Sequence, residues 1–160
     1  MEILSHSVQD TLGLGKLAAK KLKPGDIICL YGDLGSGKTV FAKGIAEGLG
    51  IKKNTVISPT FVLIRQYSSR KLPVYHFDLY RLRNEQDILD LGYEEYFYGG
   101  GVSVIEWADR LHSILPHDYL KIELSVKGEQ KRLLKFSASG RRHLELLKSI
   151  QKKLNENLSY

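Results

Sequence analysis

Apolar positions along the chain alternate between short continuous runs and stretches with helical spacing. Ile27–Tyr31 is wholly apolar, which is typical of a strand covered on both faces of a sheet. Ser7 and Asp10 are the expected start of the first helical stretch, and Gly48 and Gly50 are the expected end of the second. The predicted helices are Val8–Leu22, Lys38–Leu49 and Arg141–Leu158.

Two pairs of strand-like segments are joined by short polar turns. Connections of this length cannot cross over to a parallel neighbour, so each pair is predicted to form an antiparallel hairpin. The pairs are Phe61–Tyr67 with Leu72–Tyr80, and Tyr119–Val126 with Arg132–Ser137. Val102–Ile105 predicts a further apolar strand ending at Glu106. Asn84 is the expected cap of a helical segment that runs towards Phe97, with an interruption near Gly92.

A glycine-rich loop lies between the Ile27–Tyr31 strand and the helix that follows it. It fits G-x-x-x-x-G-K-[ST] at every fixed position, in the strand–loop–helix context that this phosphate-binding motif requires. In the motif, backbone N–H groups surround the phosphates, Lys38 reaches the β- and γ-phosphates, and the Thr39 hydroxyl ligates Mg²⁺. A glycine-rich turn that matches by coincidence is the alternative. The predicted nucleotide-binding residues are Gly32, Asp33, Leu34, Gly35, Ser36, Gly37, Lys38, Thr39 and Val40.

The phosphate-binding loop predicts the fold class as well as a ligand. We expect an α/β fold of the P-loop NTPase type, with three layers and a mixed sheet that carries added antiparallel hairpins. The chain has 160 residues, enough for one domain with its own core, so residues 1–160 are expected to form a single P-loop ATPase domain. No Asn-Lys-x-Asp guanine-binding motif is present in the sequence, so ATP is favoured over GTP.

Two acids at strand ends are candidates for catalysis together with Lys38. Glu106 ends the Val102–Ile105 strand, where a second anchor for the metal is expected beside Thr39, although a surface acid is the alternative. Asp78 is a candidate for positioning the attacking water or for holding Mg²⁺ through a water. Alternatively, Asp78 is a hairpin-edge acid paired with Arg81.

Two further side chains near these acids have more than one interpretation. His76 shares a face with Asp78 in a regular strand, and we interpret it as a packed strand histidine rather than a catalytic base. Trp107 follows Glu106 directly and is either core filler or a stacking surface. The residues alone do not choose between these two roles.

Composition limits the compartment and the partners. The chain is 42% hydrophobic, has no apolar run of membrane-spanning length and contains one cysteine, Cys29, so the cytoplasm is the expected compartment. The net charge of +6 favours acidic partners such as nucleotides or RNA. Alternatively, the charge belongs to a solvated basic surface without a specific partner. Two interpretations fit the basic C-terminal helix. It either faces tRNA or a partner protein, or it presents a charged face to solvent. Lys131 or Arg132 of the last hairpin is a candidate to approach the nucleotide.

Several motifs in a fixed order resemble the bacterial TsaE (YjeE) family. The phosphate-binding loop is common to many families, whereas the later motifs together are specific. The series is GDLGSGKT at 32–39, SPTF at 58–61, HFDLYRL at 76–82, LGYEEYF at 91–97 and IEWADRL at 105–111.

The resemblance implies an ATPase needed to form N6-threonylcarbamoyladenosine at position 37 of tRNAs that read ANN codons. It implies that the protein works with TsaB and TsaD, which receive threonylcarbamoyl-AMP made by TsaC, and that any contact with tRNA is indirect. It also implies an ATPase activity that is weak alone and raised by the partners, with the ATP cycle driving assembly and resetting of the TsaB–TsaD complex.

Carried onto matching positions, the resemblance assigns Thr39 and Glu106 to Mg²⁺, and Asp78 and Trp107 to the functional surface. Ser58-Pro59-Thr60 resembles the switch-like loop of the family, in which Thr60 would sense the γ-phosphate, although Ser-Pro-Thr ahead of a strand is also a common turn. Two departures are the presence of Ser36 where alanine is common and Val40 where threonine is common. Both positions contribute mainly backbone, so no loss of function is expected.

Two other classes of function are weighed against the accessory ATPase. A self-contained small-molecule kinase would need an acceptor pocket, and its lid arginines would be Arg65, Arg70, Arg81 and Arg83, which lie in or beside hairpin strands. A nucleotide-dependent binding module would make hydrolysis incidental. The motif series favours the accessory ATPase over the kinase.

Overall fold

The computed structural model describes residues 1–59 and 61–158, with side chains described up to residue 156. Within these residues a single seven-stranded sheet has the order β1-β7-β6-β2-β5-β4-β3. The strands are β1 (Glu2–Ser5), β2 (Ile27–Tyr31), β3 (Ile64–Tyr67), β4 (Val74–Asp78), β5 (Val102–Glu106), β6 (Tyr119–Val126) and β7 (Arg132–Ser139). The helices are α1 (Val8–Ala19), α2 (Lys38–Gly48), α3 (Glu85–Leu89), α4 (Glu94–Phe97) and α5 (Arg141–Leu158), with a 3₁₀ segment at Ala108–Ile114.

The sheet is mixed, with parallel strands at its centre and antiparallel strands at its edges. Strands β6, β2, β5 and β4 run parallel to one another. Both predicted hairpins are confirmed, because β3 pairs antiparallel with β4 and β7 pairs antiparallel with β6. Each hairpin therefore adds one antiparallel strand and also supplies one strand to the parallel centre.

Side chains of β2 alternate between two separate cores, one on each face of the sheet. Ile28 and Leu30 pack with buried residues of α1, α2 and α5. Ile27 and Cys29 pack with buried residues of α3, α4 and the 3₁₀ segment. This arrangement confirms the predicted three-layer α/β fold. Cys29 is fully buried, and burial raises the pKa of its thiol.

Polar caps fix the helix starts that the sequence predicted. The Ser7 hydroxyl accepts a hydrogen bond from the backbone N–H of Asp10 at 3.0 Å, and the Asp10 carboxylate accepts one from the N–H of His6 at 2.9 Å. These reciprocal contacts satisfy two donors at the start of α1. Asn84 caps α3 in the same way, accepting from the N–H of Asp87 at 3.1 Å. The predicted interruption near Gly92 separates α3 from α4.

Some elements differ from the sequence prediction. Strand β1 was not predicted, because a four-residue segment has little periodicity and becomes a strand only by pairing with β7. Strand β3 begins at Ile64 rather than Phe61, since the chain turns at Pro59, whose carbonyl accepts from the N–H groups of Val62 and Leu63. Helix α1 ends at Ala19 rather than Leu22. No helix in the described ranges is both long and apolar enough to span a bilayer.

Glycines let α1 and α2 approach each other backbone to backbone. A β-carbon added at Gly44 of α2 would lie 2.2 Å from the carbonyl oxygen of Leu12, and one at Gly15 of α1 would lie 2.4 Å from that of Phe41. Real side chains do not tolerate such distances. The close contact holds the start of α1 beside the loop that precedes α2.

Replacing Gly44 with alanine is expected to lower the free energy of unfolding by about 1–3 kcal/mol, the usual range for overpacking. The added methyl group collides with the Leu12 carbonyl even though alanine favours helix. Urea denaturation measures the effect. Gly13→Ala in α1 is the matched control, because nothing lies within 4 Å of its added β-carbon. Equal stability changes in the two variants would contradict the close contact.

Candidate nucleotide-binding site

The glycine-rich loop connects the end of β2 to the start of α2. Its glycines Gly32, Gly35 and Gly37 have φ angles of 141°, 77° and 102°, in the region that favours glycine. Gly32 also has no room for a side chain, because a β-carbon there would lie 2.3 Å from the carbonyl oxygen of Leu124. The loop can therefore turn its backbone N–H groups towards a bound anion at the N-terminus of α2.

Lys38 lies buried inside this loop. Its Nζ donates to the carbonyl oxygens of Gly32 at 2.6 Å and Asp33 at 2.9 Å, and it sits 4.0 Å from the centre of the Trp107 ring. Burial lowers the pKa of the Lys38 ammonium, while the negative charge of Glu106 acts in the opposite direction. The cation is thus held by neutral carbonyl oxygens, which negatively charged phosphate oxygens can replace.

Glu106 joins the start of α2 to the sheet. Its Oε2 accepts a hydrogen bond from the Thr39 hydroxyl at 2.9 Å. Its Oε1 lies 2.7 Å from Nε2 of His76. Both acid and histidine are buried, and the parallel pairing of β4 with β5 sets them side by side. The structure thus brings the two predicted metal ligands, Thr39 and Glu106, into direct contact.

Asp78 lies beside Glu106, because the two residues are partners in the β4–β5 pairing. The Ser58 hydroxyl donates to Asp78 Oδ2 at 3.0 Å, and the backbone N–H of Tyr80 donates to Oδ1 at 3.0 Å. Asp78 therefore connects the Ser58-Pro59 segment to the end of β4. The guanidinium of Arg81 lies 4.4 Å from the centre of the Phe61 ring. Thr60, the predicted switch residue, lies outside the described residues.

Trp107 faces the phosphate-binding loop. Its φ of 59° places a bulky residue in the left-handed region, which is an unusual conformation and turns the chain sharply after Glu106. The indole is half-buried, with the Tyr80 ring centre 5.0 Å away and the Lys38 ammonium above it. Trp107 is thus both packed against the core and exposed to the site.

A cleft of about 360 Å³ connects these groups with a second set of residues. The loop lies between them, because β5 and β4 are on one side of β2 in the sheet and β6 and β7 are on the other. The first set comes from α2 and the ends of β4 and β5: Lys38, Thr39, Asp78, Tyr80, Glu106 and Trp107. The second set comes from α1, α2 and the β6–β7 hairpin: Val8, Thr11, Val40, Gln130 and Arg132.

The other predicted nucleotide-binding residues contribute in different ways. Gly35 and Leu34 line the cleft, and the Leu34 side chain is 76% exposed. The Ser36 hydroxyl is buried 3.4 Å from Lys38 Nζ. Asp33 contributes its carbonyl oxygen to Lys38.

The Arg132 side chain links the β6–β7 hairpin to the loop by a hydrogen bond. One of its terminal nitrogens donates to the Gly35 carbonyl at 3.1 Å, and the other donates to the carbonyls of Gly128 and Glu129 at 3.0 and 3.2 Å. The sequence had named Lys131 or Arg132 as a candidate to approach the nucleotide, and Arg132 lines the cleft, whereas Val8, Thr11 and Gln130 were missed. Their places depend on tertiary packing, so no local pattern marked them.

Among the residues whose side chains are described, the basic C-terminal helix contributes none to the lining of this cleft. Several of its charges are paired within the protein. Arg142 forms an ion pair with the buried carboxylate of Asp26, with Nε 2.9 Å from Oδ1, and Lys153 lies 3.1 Å from Glu156. The helix is therefore partly a packing element of the domain rather than a freely charged face.

Comparison with known proteins places the chain in a family. The family model described as "Threonylcarbamoyl adenosine biosynthesis protein TsaE" matches residues 5–134. The chain is 43% identical over 151 residues to the tRNA threonylcarbamoyladenosine biosynthesis protein TsaE of Bacillus subtilis, covering 94% of this chain and 92% of that protein. It is also 43% identical to the TsaE protein of Treponema pallidum over 132 residues, covering 82% and 96%.

A solved structure agrees with these relatives. The crystal structure of Bacillus subtilis YdiB superposes with a TM-score of 0.83 at 37% identity, covering 96% of this chain and 95% of that chain. The match spans the sheet, the phosphate-binding loop and both hairpins. By its sequence and its fold, this chain belongs to the TsaE family.

Proposed function

We propose that this chain binds ATP with Mg²⁺ in the cleft and hydrolyses it in the service of tRNA threonylcarbamoyladenosine biosynthesis. The observation that carries the proposal is the contact between Thr39 and Glu106 directly beside Lys38, at the N-terminus of α2. This is the arrangement of hydroxyl, acid and lysine that P-loop nucleotide hydrolysis requires. The names of the relatives supply the pathway.

The residues at this site fit Mg²⁺. The Thr39 hydroxyl and the Glu106 carboxylate are hard oxygen donors that face each other at 2.9 Å, and Mg²⁺ commonly binds such side chains together with substrate phosphates. When bound, Mg²⁺ supplies charge neutralisation at the β- and γ-phosphates.

The chain's own groups then have separate tasks. The loop N–H groups receive the phosphates, and Lys38 leaves the carbonyls of Gly32 and Asp33 to bind the β- and γ-phosphates. Asp78 orients the attacking water. Trp107 and Tyr80 cover the γ-phosphate end and limit the access of bulk water.

The adenosine extends to the other side of the loop. With the γ-phosphate directed towards β4 and β5, the base lies against the second set of cleft residues. Val8 supplies an apolar surface, and Gln130 and Arg132 supply hydrogen-bond donors. Val40 and Thr11 lie between the base and the phosphates.

We further propose that residues 1–160 act as one P-loop ATPase domain in the cytoplasm, with TsaB and TsaD as protein partners. TsaC supplies threonylcarbamoyl-AMP, the modified base is adenosine 37 of ANN-decoding tRNAs, and the ATP cycle drives assembly and resetting of the TsaB–TsaD complex. Contact with tRNA is indirect. Support comes from the apolar side chain of Leu34, which lines the cleft, is 76% exposed and suits a protein surface.

Lys38→Ala is expected to weaken ATP affinity about 10- to 100-fold, because hydrogen bonds from a charged donor are worth about 1.5–3 kcal/mol. Titration with a fluorescent ATP analogue measures the loss. Lys43→Ala, which removes a partly exposed lysine from the same helix, is the control and should bind as the wild type does. Unchanged affinity in a folded Lys38→Ala chain would refute the nucleotide site.

Glu106→Gln is expected to retain ATP but to release phosphate about 100-fold more slowly, because the carboxylate charge that serves the metal is lost. Phosphate release is followed with and without purified TsaB and TsaD, which should stimulate the wild type strongly. Rapid phosphorylation of a metabolite by the isolated chain would instead establish a small-molecule kinase. Normal tRNA modification by Glu106→Gln would show that hydrolysis is incidental and that nucleotide binding alone is needed.

Arg132→Ala is expected to weaken ADP and ATP binding to a similar degree, about 10-fold each, because Arg132 lies on the base side of the loop. Isothermal titration with each nucleotide measures both affinities. Lys131→Ala changes the adjacent hairpin residue and serves as the control. A loss confined to ATP would place Arg132 at the γ-phosphate and contradict the proposed direction of the nucleotide.

A further inference from the structure

His76 is a buried polar residue to which the proposed reaction assigns no task. Its side chain is 1% exposed and lies in the centre of β4, where an apolar residue would normally pack. A buried imidazole needs a hydrogen-bond partner to offset its desolvation. The partner that the structure provides is the carboxylate of Glu106.

The chemistry of the contact fixes the donor. Glu106 as a carboxylate can only accept hydrogen bonds, so Nε2 of His76 carries the hydrogen and donates to Oε1 at 2.7 Å. Thr39 donates to the other oxygen, Oε2. The carboxylate is therefore held by one hydrogen bond on each oxygen, and its rotation about the side-chain torsion is blocked.

The sheet makes the donor rigid. His76 pairs with Val104 and Asp78 pairs with Glu106 in the parallel ladder of β4 and β5, so the imidazole lies one pleat behind the two acids on the same face. Its position is set by strand backbone rather than by a mobile loop. A rigid element places a functional side chain more accurately than a loop does.

Glu106 has a competing partner. Lys38 and Glu106 line the same cleft and carry opposite charges, so the ammonium and the carboxylate attract each other across the site. Without a hydrogen bond on Oε1, the carboxylate would be free to turn towards Lys38. Such an ion pair would occupy both the metal ligand and the phosphate-binding lysine.

We propose that His76 is a positioning residue that holds Glu106 towards Thr39, in the orientation that receives the metal, and keeps it from pairing with Lys38. The inference rests on the proposed Mg²⁺–nucleotide function. His76 does not touch the nucleotide, and its effect passes through Glu106. Residues that orient a metal ligand in this way usually change metal affinity 10- to 100-fold when they are removed.

The test measures metal affinity apart from activity. Mn²⁺ replaces Mg²⁺ as the probe, and electron paramagnetic resonance reports free Mn²⁺ in the presence of the chain and ADP. His76→Leu is expected to weaken Mn²⁺ binding about 10- to 100-fold. Affinity for ADP in EDTA should stay as in the wild type, because no phosphate contact is lost.

Conservative variants separate positioning from packing. His76→Gln places an amide N–H near the position of Nε2 and should restore most of the Mn²⁺ affinity, whereas the shorter His76→Asn should not. The comparison of these two polar variants remains informative if His76→Leu fails to fold. Val74→Ala, on the same strand and face, is the control for weakened β4 packing and should keep full Mn²⁺ affinity.

The outcomes are distinct. The positioning role is overturned if His76→Leu or His76→Asn keeps wild-type Mn²⁺ affinity. It is also overturned if His76→Gln loses as much Mn²⁺ affinity as His76→Asn does, or if Val74→Ala shows the same loss. A wild-type chain that binds ADP but retains no Mn²⁺ overturns the proposed metal function as well. Reduced Mn²⁺ affinity in His76→Asn with recovery in His76→Gln establishes the role.

Discussion

The hydrogen bond from the Thr39 hydroxyl to the Glu106 carboxylate joins the first turn of α2 to the end of β5, and the site depends on it. It requires the glycine-rich loop to deliver α2 at hydrogen-bonding distance from the sheet, which the left-handed glycines permit. It also requires a buried acid to be stabilised in the sheet, a task that falls to His76. The glycine contacts between α1 and α2 then place Val8 and Thr11 on the cleft.

Local patterns predicted the elements that position the phosphates. The apolar run of β2, the motif glycines and the helix after them are contiguous in sequence, so spacing alone was sufficient. Strand β1 and the contact of Arg132 with Gly35 depend on pairing between distant segments. No sequence pattern predicts the left-handed backbone at Trp107, because a tryptophan side chain does not favour that conformation. The sequence therefore identified the residues of the loop and of the β4 and β5 side of the cleft, and missed most of those on the α1 and β6–β7 side.

The two ends of the cleft have different chemistry, and this difference bears on how the family works. The end near β4 and β5 contains the acids, the lysine and two aromatic rings, beside exposed apolar side chains. The opposite end is formed by α1 and a hairpin that is clamped to the loop by Arg132. A partner that covered the first end would exclude water from the γ-phosphate and act on hydrolysis directly. We propose that stimulation of the ATPase by partner proteins would arise in this way.

The most direct test is a crystal structure of the chain with Mg²⁺ and a non-hydrolysable ATP analogue. We predict that Lys38 leaves the carbonyls of Gly32 and Asp33 for the β- and γ-phosphates, with Mg²⁺ beside Thr39 and Glu106. The γ-phosphate should point towards Asp78 and Trp107, and the base towards Arg132. A nucleotide bound elsewhere, or a Lys38 that keeps its carbonyl partners beside a bound nucleotide, would contradict the account.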